Sequence, residues 1–321
     1  MLTILKWRPS RRRRPLAAFA VGQLLALCLA FSAQAPAFAG PLEDAKAASD
    51  KGDYPTALAI VTPLAEQGNA DAQLALGWMY FNGRPPPKDT PQALKWWGKA
   101  ADQDNASAQN LMGREFEFGW GGNPIDMGVA ANWYLRAANL ANHTAEHQLA
   151  MMYKDGRGVP QDLVQAYAWQ YVYINAFRGD GTLRDLAPLM TAQQLSQARQ
   201  AAINVFLARA ARGDARAEDN LGANYLDDRD FAQSTAWYRK AAERGDYDGE
   251  FWLGNAYQQG LGVPIDPIEA YKWMTVSIRN APEAAKGDPI TLGRRSDLAK
   301  TMTAEQVAEG ERRAAAWKPV R

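Results

Sequence analysis

Two short helical stretches joined by a Gly/Pro-rich loop, Ala70 to Asn105, recur along this chain, and the recurrence constrains its fold more than any other feature. Leu76-Gly77 and Tyr80 return as Met112-Gly113 and Phe116, then as Ala150 and Tyr153, Leu221-Gly222 and Tyr225, and Leu253-Gly254 and Tyr257. Downstream, Ala93 and Trp96 return as Ala130 and Trp133, Ala166 and Trp169, Ser234 and Trp237, and Ala270 and Trp273. Adjacent copies lie 32 to 37 residues apart. At that period, self-similarity marks stacked helical units that bury their faces only against one another.

A glycine inside a helix costs about 0.5–1 kcal/mol relative to alanine, so its return at one position needs a packing reason. Close approach of the second helix supplies one, with Ala93 and Trp96 expected against Gly77. The loop between the helices is fullest in Gly156-Arg157-Gly158-Val159-Pro160-Gln161-Asp162 and Gly260-Leu261-Gly262-Val263-Pro264-Ile265-Asp266. Its first glycine suits a helix C-terminus and its Asp an N-cap. With no Lys-Ser/Thr following and no strand preceding, it is not a phosphate loop.

The run LGxxY, GxGVxxD, AxxWYxxAAxxG resembles the Sel-one-like repeat (SLR) family, relatives of the tetratricopeptide repeats. It is carried here by Leu221 to Tyr225, Gly260 to Asp266 and Trp237 to Gly245. The resemblance implies an all-α, α/α superhelical solenoid of helix-turn-helix repeats whose members usually serve as adaptors for other proteins. Three loops depart from the pattern: Arg84-Pro85-Pro86-Pro87, Trp120-Gly121-Gly122 and Asp227-Asp228-Arg229-Asp230.

Residues 1–39 read as a leader: a basic start (Lys6, Arg8, Arg11 to Arg14), an apolar run from Leu16 to Phe31, and Ala37-Phe38-Ala39 as the small-x-small cleavage site. The run is shorter than the ~20 residues a spanning helix needs. Loss of the leader removes six of 36 basic residues and none of 35 acidic ones, leaving a net charge of −5. A mildly acidic chain without a basic stripe is a poor nucleic-acid binder. Cys28, the only cysteine, goes with the leader, so neither a disulfide nor a thiolate site is expected. The expected location is the periplasm, with no integral membrane segment after cleavage.

In order, the chain then divides into an opening half-repeat at 40–69, repeats one to three at 70–177, a divergent repeat or capping helix at 178–213, repeats four and five at 214–280, and a C-terminal capping helix at 281–321. The half-repeat turns at Gly52-Asp53-Tyr54, with Ala57 and Ile60 in the Ala and Trp positions. The divergent region opens on a loop with Gly179 and Gly181. Thr191 and Gln194 form a capping box, with Ala202 and Val205 at the repeat positions, and Met302 to Val307 echoes it. Ala281 to Arg295 reads as a loop. One continuous superhelix is favoured over two arrays.

Both histidines lie in His143-Thr144-Ala145-Glu146-His147, the H-x-x-E-H string of inverted zinc peptidases. The repeat register places His143 in the turn before a helix that carries His147, off any shared rigid face, and no third carboxylate ligand is recognisable. No metal, cofactor or catalytic residue is therefore expected. The alternative is an envelope enzyme or peptidoglycan-binding module, least of all a zinc hydrolase using His143, Glu146 and His147.

At 100° per residue, the position after each repeat glycine and the one two before it point away from the Gly/Tyr face. They hold Trp78, Arg114, Met151 and Asn255, and Ala75, Leu111, Leu149 and Trp252. Trp, Met and Arg are types enriched at binding hot spots. Trp78, Leu111, Arg114, Met151 and Trp252 are thus the candidate partner-binding row. A competing reading has the same residues packing unit on unit. The expected partner is a periplasmic protein or the periplasmic domain of a membrane protein; the resemblance adds restraint of a sensor kinase as one such role.

Overall fold

The computed structural model describes residues 40–84, 86–177, 183–283 and 285–320. The leader reading, and the loop with Gly179 and Gly181, lie outside the described residues. The secondary structure of the described residues is helical, and the chain divides into two compact units between Leu195 and Ser196. No helix among the described residues is long and apolar enough to cross a membrane.

The first unit opens with α1 (Pro41–Asp50) and α2 (Tyr54–Glu66), the half-repeat. Three hairpins follow: α3 (Ala70–Asn82) with α4 (Thr90–Ala101), α5 (Ala106–Phe118) with α6 (Met127–Asn139), and α7 (His143–Asp155) with α8 (Leu163–Phe177). A short α9 (Leu183–Leu186) precedes α10 (Ala192–Ala210), most of which belongs to the second unit and which begins at the expected capping box: Gln194 N donates to Thr191 Oγ1 and Thr191 N to Gln194 Oε1. The second unit pairs α11 (Ala215–Asp227) with α12 (Phe231–Glu243) and α13 (Tyr247–Gln259) with α14 (Pro267–Asn280), then adds α15 (Pro289–Ala299) and α16 (Ala304–Ala316). From α1 to α8, and again from α11 to α14, each helix packs on the one before it and the one after it, an α/α solenoid arrangement.

Local chemistry sets these boundaries. Asn69, Asn105, Asn142, Asp214 and Asp246 cap the first helices by accepting a hydrogen bond from a backbone N–H two or three residues on. Asp89, Asp126, Asp162, Asp230 and Asp266 do the same for the second helices. The loops differ in length and composition, yet each of those five aspartates sends its own N–H to the carbonyl of the repeat aromatic, at 2.9 Å for Tyr80, Phe116 and Tyr153 and 3.0 Å for Tyr225 and Tyr257. That clamp lets the intervening loop vary without moving the next helix.

The residue against the repeat glycine lies one position later than expected. Trp97, not Trp96, sits on Gly77; Tyr134 sits on Gly113, Tyr238 on Gly222 and Met274 on Gly254. The shift holds at the irregular ends, where Val61 and Phe206 are the buried side chains and Ile60 and Val205 are only half-buried. The Trp96 series does a different job. Trp96 packs on the cluster where α3 meets α2, Trp133 where α5 meets α4, and Trp273 where α13 meets α12. These tryptophans hold successive repeats together, and Lys99, Arg136 and Lys240 cover the rings of Trp96, Trp133 and Trp237 at 4.0, 4.4 and 3.8 Å.

The expected loop from Ala281 to Arg295 is helical from Pro289. Asp288 accepts from Thr291 N at 3.0 Å and Pro289 fills the first turn, where its missing N–H costs nothing. The Thr303–Gln306 capping box then starts α16, which lies on α14 with Trp317 edge-on to Trp273.

Candidate functional site

The expected binding row does not form one exposed line. Leu111 is 3% exposed, in a cluster with Leu74, Ala93 and Trp97, so it serves the seam between repeats one and two and meets no partner. Leu149 and Asn255 are buried as well. The physical reason is that the first helix of an inner repeat is covered twice, by its own second helix and by that of the preceding repeat. Positions that point away from one neighbour therefore point into the other.

The remaining residues of the row are half-buried. Trp252 stacks on Tyr238, ring centroids 5.9 Å apart at 16°, in the second unit. Met151 stands on α7. Trp78 and Arg114 converge on one aromatic cluster of the first unit. Trp78 lies edge-on to Phe81 and Trp97 at 5.8 and 5.1 Å, and its indole N–H is buried with no hydrogen-bond partner. Phe81 continues to Trp120 at 5.2 Å, and Trp120 stacks on Phe118 at 6.1 Å and 23°. The Arg114 guanidinium lies 5.0 Å from the Trp120 ring and 6.0 Å from that of Phe118.

Phe118, the last residue of α5, is 51% exposed and Ile125, in the loop that follows, 61%. Phe118 and Trp120 extend the cluster to the surface, with Ile125 exposed beside Gly119, and none of the three was a candidate from the sequence. The signal was there, since Trp120-Gly121-Gly122 departs from the repeat loop, but departure alone does not say which side chain stays exposed. Under the patch, Tyr134 OH donates to Glu117 Oε2 at 2.6 Å, Arg157 Nη1 to Glu117 Oε1 at 3.3 Å and Asn123 Nδ2 to Glu115 Oε1 at 2.6 Å. Burial pushes the Glu115 carboxyl above its ordinary value, against the Asn123 hydrogen bond. Both carboxylates thus bind their own loop and helix neighbours, a structural arrangement.

His143 is the first residue of α7, not part of the turn before it, so both imidazoles stand on one helix. They line a shallow cavity of about 170 Å³ with Thr144, Gln148 and Tyr173. Glu146, the would-be base of a hydrolase, is fully buried with Oε2 3.0 Å from His143 Nδ1. In the second unit Asp219, Asp246 and Asp248 bring carboxylate oxygens within 4.8 Å of one another, a juxtaposition of α11 and α13 that no local spacing discloses.

The Sel1 repeat pattern matches residues 70–105, 106–142, 143–169, 215–246 and 248–280, together just over half the chain. Among curated proteins the chain is similar to an uncharacterized protein, NMB1327, of Neisseria meningitidis, 27% identical over 67% of this chain and 44% of the relative. It is also similar to the alginate biosynthesis protein AlgK of Azotobacter vinelandii, 32% identical over 38% of this chain and 25% of that protein. The chain spans less than half the length of these relatives. Of solved structures, a Sel1 repeat protein from Oxalobacter formigenes aligns over 80% of this chain and 75% of its own, at 27% identity and a TM-score of 0.38. The c5321 protective antigen of uropathogenic Escherichia coli, described as an SLR fold, aligns over 85% and 75%, at 22% identity and the same TM-score. Five matched repeats, each a capped hairpin and four of them with a helical glycine closed by a large side chain, make this chain a member of the Sel1 repeat family.

Proposed function

We propose that this protein is an exported, non-enzymatic scaffold that binds a protein partner in the periplasm or the periplasmic domain of a membrane protein. The observation that supports it most is the surface patch of Phe118, Trp120 and Ile125 beside Arg114, borne on a repeat framework. Exposed aromatic and Arg side chains at the centre of a rigid surface are the usual makings of a hot spot. Sel1 repeats generally mediate protein–protein interaction. Two relatives bear names of the same kind, the ERAD-associated ubiquitin-ligase component HRD3A of Arabidopsis thaliana and chitin synthase regulatory factor 3 of Schizosaccharomyces pombe. Export rests on the basic, apolar and Ala-x-Ala segments of residues 1–39.

The test is crosslinked capture from intact cells expressing the protein with its leader, beside a Phe118→Ala/Arg114→Glu variant. Trp78 is unsuitable for substitution because its ring packs on Trp97 inside the core. One protein held by the wild type and lost by the variant is the expected result. Identical captures would remove the patch from the proposal, and an unprocessed leader in the cytoplasmic fraction would remove the location.

A further inference from the structure

His143 and His147 are four residues apart on α7, hence on one helix face, and both border the same cavity. Each ring is held from behind through Nδ1. His143 Nδ1 lies 3.0 Å from Oε2 of the fully buried Glu146, and His147 Nδ1 lies 3.3 Å from Oε1 of Gln170, itself 2% exposed. Both partner atoms are acceptors. In the neutral imidazoles Nδ1 therefore carries the proton and donates it, which leaves the lone pair of each ring on Nε2. The ring of Tyr173, centroid 5.0 Å from that of His147, packs against the second imidazole.

We propose that His143 and His147 form a two-imidazole clamp for a divalent transition-metal ion, bound through the two Nε2 atoms with water completing its coordination. Paired histidines at i and i+4 on a helix are the spacing that brings two imidazoles onto one ion. A carboxylate or amide oxygen behind Nδ1 is the outer arrangement that fixes tautomer and ring orientation in such sites. Neutral nitrogen ligands suit zinc, copper or nickel, and among the described residues the cavity lining presents no carboxylate to favour calcium or magnesium. Glu146 acts here as a positioning residue. Buried and bound to His143, it is not placed to activate a metal-bound water, so the clamp binds an ion without the hydrolysis that H-x-x-E-H suggests. The inference is independent of the adaptor reading, and zinc binding can fail while partner capture succeeds, or the reverse.

The probe is zinc chloride added to the untagged, chelator-treated full chain at about pH 7.5, above the ~6.5 at which a free imidazole protonates. Calorimetry should give one equivalent. Because the chain has two histidines in all, two imidazole Hε1 resonances report the site in the wild type without any substitution. Both should move together on titration. His143→Ala and His147→Ala should each weaken binding at least ~10-fold, and Glu146→Gln by ~10-fold or more through loss of orientation, with helicity checked by circular dichroism. No uptake at millimolar zinc would overturn the proposal. So would an equivalent of zinc bound with both Hε1 resonances unmoved, or bound equally by the His143→Ala/His147→Ala variant, since the ion would then sit elsewhere, as at Asp219, Asp246 and Asp248.

Discussion

The indole of Trp97 fills the space that a Cβ on Gly77 would occupy. That atom would lie 2.4 Å from indole Cδ1 and Nε1 and 3.1 Å from the Ala93 carbonyl oxygen. Trp97 Nε1 also donates to the Leu74 carbonyl at 3.2 Å, so the ring is pinned over the glycine rather than merely resting there. The helical glycine is thus the price of seating a fully buried tryptophan between two helices.

Gly77→Ala should therefore destabilise the first unit by roughly 1–3 kcal/mol, the usual cost of overpacking a filled core. Gly98 provides the internal control. It is also helical, in α4, but a Cβ there meets nothing within 4 Å. Gly98→Ala should stabilise by about 0.5–1 kcal/mol through helix propensity alone. Urea unfolding of both variants decides the matter, and shifts of the same sign would refute the steric account.

The second glycine of the repeat loop supports a parallel argument. Gly262 has φ +67° and a Cβ on it would lie 2.2 Å from the Phe231 carbonyl oxygen, at the start of the preceding repeat's second helix. Gly158 meets the Met127 carbonyl in the same way, at 2.1 Å. Gly52 shares the left-handed backbone, at φ +80°, but faces open space. Gly52→Ala should cost only the backbone term of about 1–2 kcal/mol, and Gly262→Ala clearly more, because the loop must also back away from its neighbour. Equal costs in thermal unfolding would show that the contact between repeats is slack.

These contacts explain what could be read from the sequence. The repeat register, the Asp caps and the capping boxes at Thr191 and Thr303 depend on neighbours within a few residues, and the sequence displays them directly. The choice between Trp96 and Trp97 does not. Both are tryptophans, one residue apart and so about 100° apart around the helix, and only the structure shows which faces the glycine. The later copies hide the answer further, since the knob becomes Tyr134, Gln170, Tyr238 and Met274 while the seam residue stays Trp. Leu111 failed as a surface candidate for a related reason: a helical wheel knows one helix, and α5 is covered by α4 as well as α6. His143 was misplaced by a single residue of helix boundary, enough to separate two imidazoles that in fact share a face.

Below the aromatic patch, Tyr134 and Glu117 form a buried hydrogen bond of 2.6 Å. Burial first, and then the Glu117 carboxylate, push the Tyr134 hydroxyl well above its ordinary value, so it remains a donor at any pH the fold survives. Tyr134→Phe keeps the ring on Gly113 and removes only the hydroxyl. It should cost about 1–3 kcal/mol, the penalty for stripping a buried carboxylate oxygen of its donor. A loss under about 0.5 kcal/mol in urea unfolding would mean that Arg157 alone satisfies Glu117.

Glu250 gives the fold a pH dependence that repeats one and two avoid. At the equivalent position Gln73 and Gln109 donate Nε2–H to the carbonyls of Ala65 and Ala101, both at 3.1 Å. Glu250 is fully buried in the same place and accepts from Asn280 Nδ2 at 2.7 Å. Burial pushes its carboxyl up to about 8, with Asp246 adding to the rise and Asn280 and Arg279 opposing it. The folded chain therefore keeps this proton well above the ordinary 4.5 of the unfolded one. Across that window the native state binds more protons, so stability is greatest at the acidic end and falls as pH rises towards about 8. Glu115 and Glu218, raised chiefly by burial too, slope the same way. Glu250→Gln replaces the carboxyl with the amide that repeats one and two already use. Its unfolding free energy should fall less steeply than that of the wild type between about pH 5 and 8, and it should be the more stable protein by a few kcal/mol at about pH 9. Parallel curves for the two proteins across that range would show that Glu250 is ionised in the fold and that its burial carries no proton.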